Sequence, residues 1–247
     1  MDPAYYVAAG SLKARAYQLD LVANNLANCA TVGYKPEKSF YAVYNKAKQD
    51  GRGLPLTPYV DDGTVLAQSG VDFAQGTLRN TGRKLDLAIQ GNAFFAVQTP
   101  QGVRITRDGR LQLGNDGQLQ ALDGSPLLGK NGRPLQVDPA AGQVSVLADG
   151  TVQQGETTVG QLDLKAYAKP SRLQRSGGNR FDPAGAQEAP VAGTVTQGAV
   201  EDSSVDLPSC LIDMIRLNRL FETSMKVAST ITNDMDAKSI SDISSGR

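Results

Sequence analysis

The sequence predicts an α+β protein, with an all-β central domain carried between long N- and C-terminal helices that pair as a coiled-coil module. Two observations predict it. At both ends of the chain apolar residues recur at alternating steps of four and three, the spacing of a coiled-coil seam. Between the ends, short alternating runs are punctuated by Asp-Gly and Asn-Gly dipeptides, the mark of strands joined by tight turns. A chain of 247 residues with 40% apolar side chains also has room for a packed core in one or two domains.

The first element is a helix within residues 1–34. Asp2 can cap it and Pro3 suits its first position, where a missing N–H costs nothing. Tyr5, Ala9, Leu12, Ala16, Leu19, Ala23, Leu26 and Ala30 form the seam, while Lys13, Arg15, Gln18 and Asp20 lie off it. Gly33 offers a positive φ to end the helix, and Lys35-Pro36 forces an extended exit. Residues 35–75 are expected to be an extended arm or loop, because Gly, Pro, Thr and Asp there show little periodicity, especially after residue 45.

Residues 76–203 are expected to form the β domain. Leu85, Leu87 and Ile89, then Phe94-Phe95-Ala96-Val97, Val103 with Ile105, Leu111 with Leu113, Val144 with Val146, and Leu162 with Leu164 supply strands for a small barrel or sandwich. Gly91-Asn92, Asp108-Gly109, Asp116-Gly117, Asp123-Gly124, Asn131-Gly132 and Asp149-Gly150 supply turns that want positive φ. Arg175 to Pro190 has the character of the arm. Residues 204–247 return to helix, with Asp206 as a cap, Pro208 in the first turn, and a seam of Cys210, Met214, Leu217, Phe221, Ser224, Ala228, Ile231 and Met235. Leu211 and Ile215 widen the apolar face beyond a two-helix contact. A seam of Leu-sized side chains, each contributing about 1.5–3 kcal/mol when buried, needs a partner. The helices can pack on each other as an antiparallel hairpin, or on other subunits as well.

Composition narrows the chemistry. Lys plus Arg and Asp plus Glu both number 25, so there is no net field to attract a nucleic acid. The absence of histidine excludes a Ser-His-Asp triad and the usual zinc hydrolase. Cys29 and Cys210 form no Cys-x-x-Cys motif; antiparallel helices would bring them to similar heights, where a disulfide or two buried thiols are both open. Asp61-Asp62, Asp108, Asp116 and Asp123 fit turn chemistry, with Gly at or near the following position, rather than a glycosidase pair or a calcium loop. Gly129-Lys130 lacks the spacing of a phosphate loop. The expectation is no catalysis, no cofactor and no metal. The chain start lacks a cleavable secretory signal, and no stretch is apolar enough to span a bilayer, so membrane insertion is not expected.

Asn24-Asn25-Leu26-Ala27-Asn28 followed by Thr31-Val32-Gly33-Tyr34-Lys35 resembles the N-terminal signature of the bacterial flagellar rod and hook proteins. Leu85 to Phe95 with Thr106-Arg107-Asp108-Gly109 resembles the central β block of that family. Gln197-Gly198-Ala199-Val200-Glu201, with Met214-Ile215 and Arg219-Leu220-Phe221-Glu222, resembles its closing segment. The Met1-Asp2 opening, the length, and Phe221-Glu222 before Met225-Lys226-Val227 look most like the proximal-rod branch, with the distal rod the close alternative. The resemblance implies a structural subunit of the flagellar basal-body rod that crosses the periplasm. It also implies self-assembly and contact with other rod subunits, and passage through the flagellar type III export apparatus. Leu12, Leu19, Leu26, Gly33, Met214, Leu217, Phe221 and Ile231 are its expected assembly residues. Asn24, Asn25 and Asn28 either cap and fray the helix end or, as the resemblance favours, hydrogen-bond between subunits. The readings from other classes are a carboxylate-dependent cell-wall hydrolase and a surface adhesin on a coiled-coil stalk.

Overall fold

The computed structural model describes residues 3–43, 64–138 and 141–244. In chain order it runs α1 (Pro3–Ala27), β1 (Glu37–Val43), β2 (Thr64–Val71), β3 (Leu78–Asn80), β4 (Leu87–Gly91), β5 (Phe94–Thr99), β6 (Gly102–Thr106), β7 (Leu111–Leu113) and β8 (Leu119–Ala121). There follow β9 (Val144–Val146), β10 (Thr151–Gln154), β11 (Thr157–Gln161), β12 (Leu164–Tyr167), β13 (Gln174–Arg175), β14 (Arg180–Asp182), β15 (Glu188–Ala189), β16 (Gly193–Gln197), β17 (Ala199–Glu201) and α2 (Leu207–Ser244). The architecture is α+β with a β-rich domain. The chain divides into two compact units: Met1–Ala27, Glu37–Gly70 and Asp206–Arg247 form a helical unit, while Asn28–Pro36 and Val71–Val205 form a β unit.

In the helical unit α1 packs on α2 and on β1, which pairs with β2. The start of α2 lies beside the end of α1, where Cys210 Sγ reaches the Val22 carbonyl at 3.5 Å. The polar positions of α1 meet the strand pair: Tyr17 Oη donates to Ser69 Oγ at 2.8 Å, and Ser69 Oγ in turn donates to the Glu37 carboxylate. Asp2, the expected cap, lies outside the described residues. Helix α1 ends at Ala27 instead of running to Gly33. The Asn-rich stretch favours backbone bonds over helix, and Thr31 N closes a turn onto Asn28 O at 3.1 Å. About half of the expected arm, residues 44–63, lies outside the described residues, and its flanks are the paired strands β1 and β2.

The β unit is built on a six-stranded antiparallel sheet, ordered β13-β14-β6-β5-β12-β15. The run Phe94-Phe95-Ala96-Val97 is apolar on both faces because β5 separates two cores. Phe95 and Val97 join Leu87, Ile89, Leu111, Leu119, Leu127 and Val152 on one side. Phe94 joins Ile105, Tyr167, Leu173 and Phe181 on the other. Arg175 to Pro190 is not a loop but contributes β13, β14 and β15 to the main sheet. Phe181 is the reason: it is fully buried and pairs with Ile105, and that burial outweighs the Gly- and Pro-rich surroundings.

Residues 111–137 contain three turn units with leucines eight residues apart, Leu119, Leu127 and Leu135. Their backbones close a ring. Leu119 N donates to Leu135 O, Leu127 N to Leu119 O, and Leu135 N to Leu127 O, at 2.8–3.0 Å. The preceding Asp116, Asp123 and Asn131 side chains each accept from the N–H two residues on, at 3.0–3.2 Å, as turn chemistry demands.

Tyr167 carries a pH signature. Burial, and then the nearby carboxylates of Glu188 and Asp163, push its hydroxyl from an ordinary 10.0 up to about 12. The folded state therefore holds this proton more tightly than the unfolded chain. Its contribution is intact below pH 10.0 and is lost as pH rises towards about 12. Denaturant midpoints measured from about pH 9 to about pH 12 should fall, and Tyr167→Phe should flatten that fall.

Candidate functional site

Two features are candidates, a buried charge cluster in the β unit and the apolar faces of the helical unit. The cluster forms where residues 28–36 cross the β unit as an irregular strap. Lys35 and Glu201 are fully buried and Arg107 is 3% exposed. Glu201 Oε1 accepts from Lys35 Nζ at 2.5 Å and from Gly76 N at 2.9 Å, and Oε2 accepts from Arg107 Nη1 at 3.1 Å. Lys35 Nζ also donates to Ala74 O at 2.6 Å, and Arg107 Nη2 to Gly91 O at 2.6 Å. The Arg107 guanidinium lies 4.7 Å from the Phe94 ring centroid. Burial pushes the Lys35 ammonium below its ordinary range, opposed by Glu201, and does the same to Arg107. One carboxylate thus bonds two cations with which water has almost no contact.

The strap backbone is satisfied at long range. Asn179 Nδ2 donates to Val32 O at 2.8 Å, Ser204 N to Tyr34 O at 3.2 Å, and Asp72 N to Pro36 O at 2.8 Å. Arg175 donates to Lys35 O and stacks on the Tyr34 ring at 4.7 Å. Gly33 N donates to Glu201 O at 2.6 Å. Gly33 has φ +68°, and a Cβ there would meet the Arg107 carbonyl carbon and Asp108 N at 2.6 Å, so no other residue fits. The sequence reading placed Gly33 at a helix end and among assembly residues; the structure buries it in the strap. Lys35, Arg107 and Glu201 were not singled out as a site. Their signal was a charged residue in each of three motifs, Thr-Val-Gly-Tyr-Lys, Thr-Arg-Asp-Gly and Gln-Gly-Ala-Val-Glu, which converge here.

The other expected assembly residues divide. On α1, Leu12, Leu19 and Leu26 are half-buried and Asn24 is exposed. Asn25 is buried, and its amide is engaged within the chain, donating to Glu37 O at 2.8 Å and accepting from Glu37 N at 3.0 Å. Asn28 Oδ1 accepts from Thr31 Oγ1 at 3.2 Å. On α2, Met214, Leu217, Phe221 and Ile231 are half-buried, as are Leu220, Ser224 and Ala228, while Leu211, Ile212, Ile215, Met225 and Val227 are exposed. Ile212, Ile215 and Leu220, with Arg216 and Arg219, line a shallow groove. Cys29, half-buried, and Cys210, buried, are not joined in a disulfide. Asp108, Asp116 and Asp123 serve their turns, and Asp61 and Asp62 lie outside the described residues. Among the described residues no cluster of His, Cys, Asp and Glu could hold a metal, and no helix is long and apolar enough to cross a membrane.

Comparison with known proteins completes the picture. Residues 6–35 match the family model for flagella basal body rod protein, and residues 88–154 match the D1 domain of the flagellar hook protein FlgE/F/G. Residues 196–241 match the flagellar basal body rod FlgEFG protein C-terminal model. The chain is 32% identical to the flagellar basal-body rod protein FlgF of Mesorhizobium japonicum, over 91% of each chain. It is 33% identical to FlgF of Caulobacter vibrioides, over 92% of each. It is also 31% identical to the flagellar basal-body rod protein FlgG of Bacillus subtilis, over 86% of this chain and 89% of the relative. With three models in order along its length and relatives aligned nearly end to end, the chain belongs to the flagellar basal-body rod protein family.

Proposed function

We propose that this chain is a structural subunit of the bacterial flagellar rod, built into the basal body through α1 and α2, and that it transmits torque between motor and hook. The observation that carries the reading is the outer face of α2. Its half-buried seam is accompanied by Ile212 at 65% and Ile215 at 58% exposure, with Leu211, Met225 and Val227 exposed beside them. Exposed apolar side chains on a long helix forfeit stabilisation in water and recover it against a neighbouring subunit. The four-three spacing of Met214, Leu217, Phe221, Ser224, Ala228 and Ile231 supports coiled-coil pairing of the terminal helices, in which these residues join Leu12, Leu19 and Leu26. Asn24 is exposed on α1 and belongs to the surface proposed to meet a neighbour. The helices Pro3–Ala27 and Leu207–Ser244 then serve as the assembling elements, and the β unit as the body, of one subunit.

Partners on this reading are further copies and other rod subunits, reached through the flagellar export apparatus. Relatives named FlgF and FlgG match at similar identity. Phe221-Glu222 with Met225-Lys226-Val227 supports the proximal-rod reading, with the distal rod as the alternative. Family membership does not favour the hydrolase or the adhesin.

The test substitutes Ile212→Asp and Ile215→Asp together. Both side chains are exposed, so the change in stability should stay within about 0.5 kcal/mol for each site by thermal unfolding. In cells lacking the parent gene the variant should fail to restore motility and be missing from purified basal bodies. Restored motility would remove the outer face of α2 from the assembly surface.

A further inference from the structure

We propose that residues 28–36 are a strap that docks on an already folded β unit as a separate step, held by Glu201 as the keystone, and that they open without unfolding that unit.

Four observations lead there. Neither apolar core contains a strap residue; both are complete from residues 71 onward. The strap buries Val32 and Tyr34 as well as Lys35, and its bonds reach Asp72, Ala74, Arg175, Asn179, Glu201 and Ser204, which are scattered over more than a hundred positions. Those groups come together only once the sheet has formed, so the strap's receptor must precede its docking. The docked strap is costly to hold. Lys35 is stripped of water beside a second cation, Arg107, with Glu201 bonded to both and Asp72 as a further nearby carboxylate. The buried side-chain polar atoms that lack a partner among the described residues are Arg107 Nε, Asn179 Oδ1 and Ser204 Oγ, and each belongs to a residue of this receptor. Opening returns Lys35 to water and leaves both cores packed. It is thus a low-energy local opening of the kind seen at the edges of cooperative units.

Hydrogen exchange on the full chain separates the two motions. The N–H groups of Gly33, Asp72 and Ser204 are held by strap contacts, whereas those of Leu119, Leu127 and Leu135 are held within the β unit. In the parent protein the first set should exchange together, at least ~100-fold faster than the second and with little denaturant dependence. Lys35→Ala and Glu201→Gln should each speed the first set by a further ~10-fold or more and leave the second within about twofold. The proposal is overturned if the two sets exchange together in the parent, or if either substitution moves both sets equally or moves neither. A Glu201→Gln chain that fails to fold would also overturn it, because the carboxylate would then hold the core and not the strap.

Discussion

Phe94→Ala should lower the stability of the β unit by about 3–5 kcal/mol, the cost of emptying an aromatic site in a closed core. Phe94 is 1% exposed and anchors the second core, with its ring 5.4 Å from Phe73 in an edge contact and 6.3 Å from Phe181. It also lies under Arg107, so the loss removes a cation–π contact from the one guanidinium that Glu201 must neutralise. For a unit of this size each kcal/mol moves the midpoint by about 2–4 °C, which makes the shift plain in a thermal melt. Phe94→Leu keeps most of the volume and should recover more than half of the loss. A melt of Phe94→Ala that overlays the parent would mean that the second core does not stabilise the unit.

Gly109→Ala should do comparable damage for an opposite reason. A Cβ at this position would stand 1.8 Å from the Leu87 carbonyl oxygen and 2.9 Å from the Phe95 ring. The Leu87 N–H donates to Gly109 O at 2.9 Å, so the two backbones cannot part without losing a bond at the centre of the first core. The expected cost is at least about 3 kcal/mol, at the upper end for overpacking, because backbone and not a flexible side chain must move. Gly124→Ala is the control. Gly124 has φ +85° but nothing within 4 Å of its added Cβ, so that change should cost only about 1–2 kcal/mol from the backbone conformation alone. Equal losses at the two sites, read from denaturant midpoints, would mean that crowding at Gly109 is relieved elsewhere.

The comparison of these two glycines shows where sequence reading stops. Asp108-Gly109 and Asp123-Gly124 are the same dipeptide, and periodicity assigns both to positive-φ turns. Gly124 adopts one, while Gly109 does not and is glycine because a strand passes against it. Local pattern carries information about neighbours along the chain, not about what the fold brings alongside. The same division runs through the rest. Leu87, Ile105 and Leu111 announce their strands by alternation, Phe94 and Phe95 by a continuous apolar run, and the four-three spacing announces both helices. Phe181 was lost among glycine and proline because its partner Ile105 lies far away in sequence. The strap was read as the tail of α1, since its anchors Arg107, Asn179 and Glu201 are distant in the chain. Asn25 was legible as a hydrogen-bonding residue, but not as one whose partner is the Glu37 backbone of its own chain.

The leucine ring of residues 119, 127 and 135 has a further consequence in a crowded assembly. Each of the three N–H groups and each of the three carbonyls is answered within the ring. An ordinary edge strand presents a row of unanswered groups, which invites any neighbouring chain to add a strand. Here no member is first or last, so copies stacked at very high local concentration find nothing on these three residues to zip onto. The chain can thus be rich in short strands here without offering an edge at these three residues.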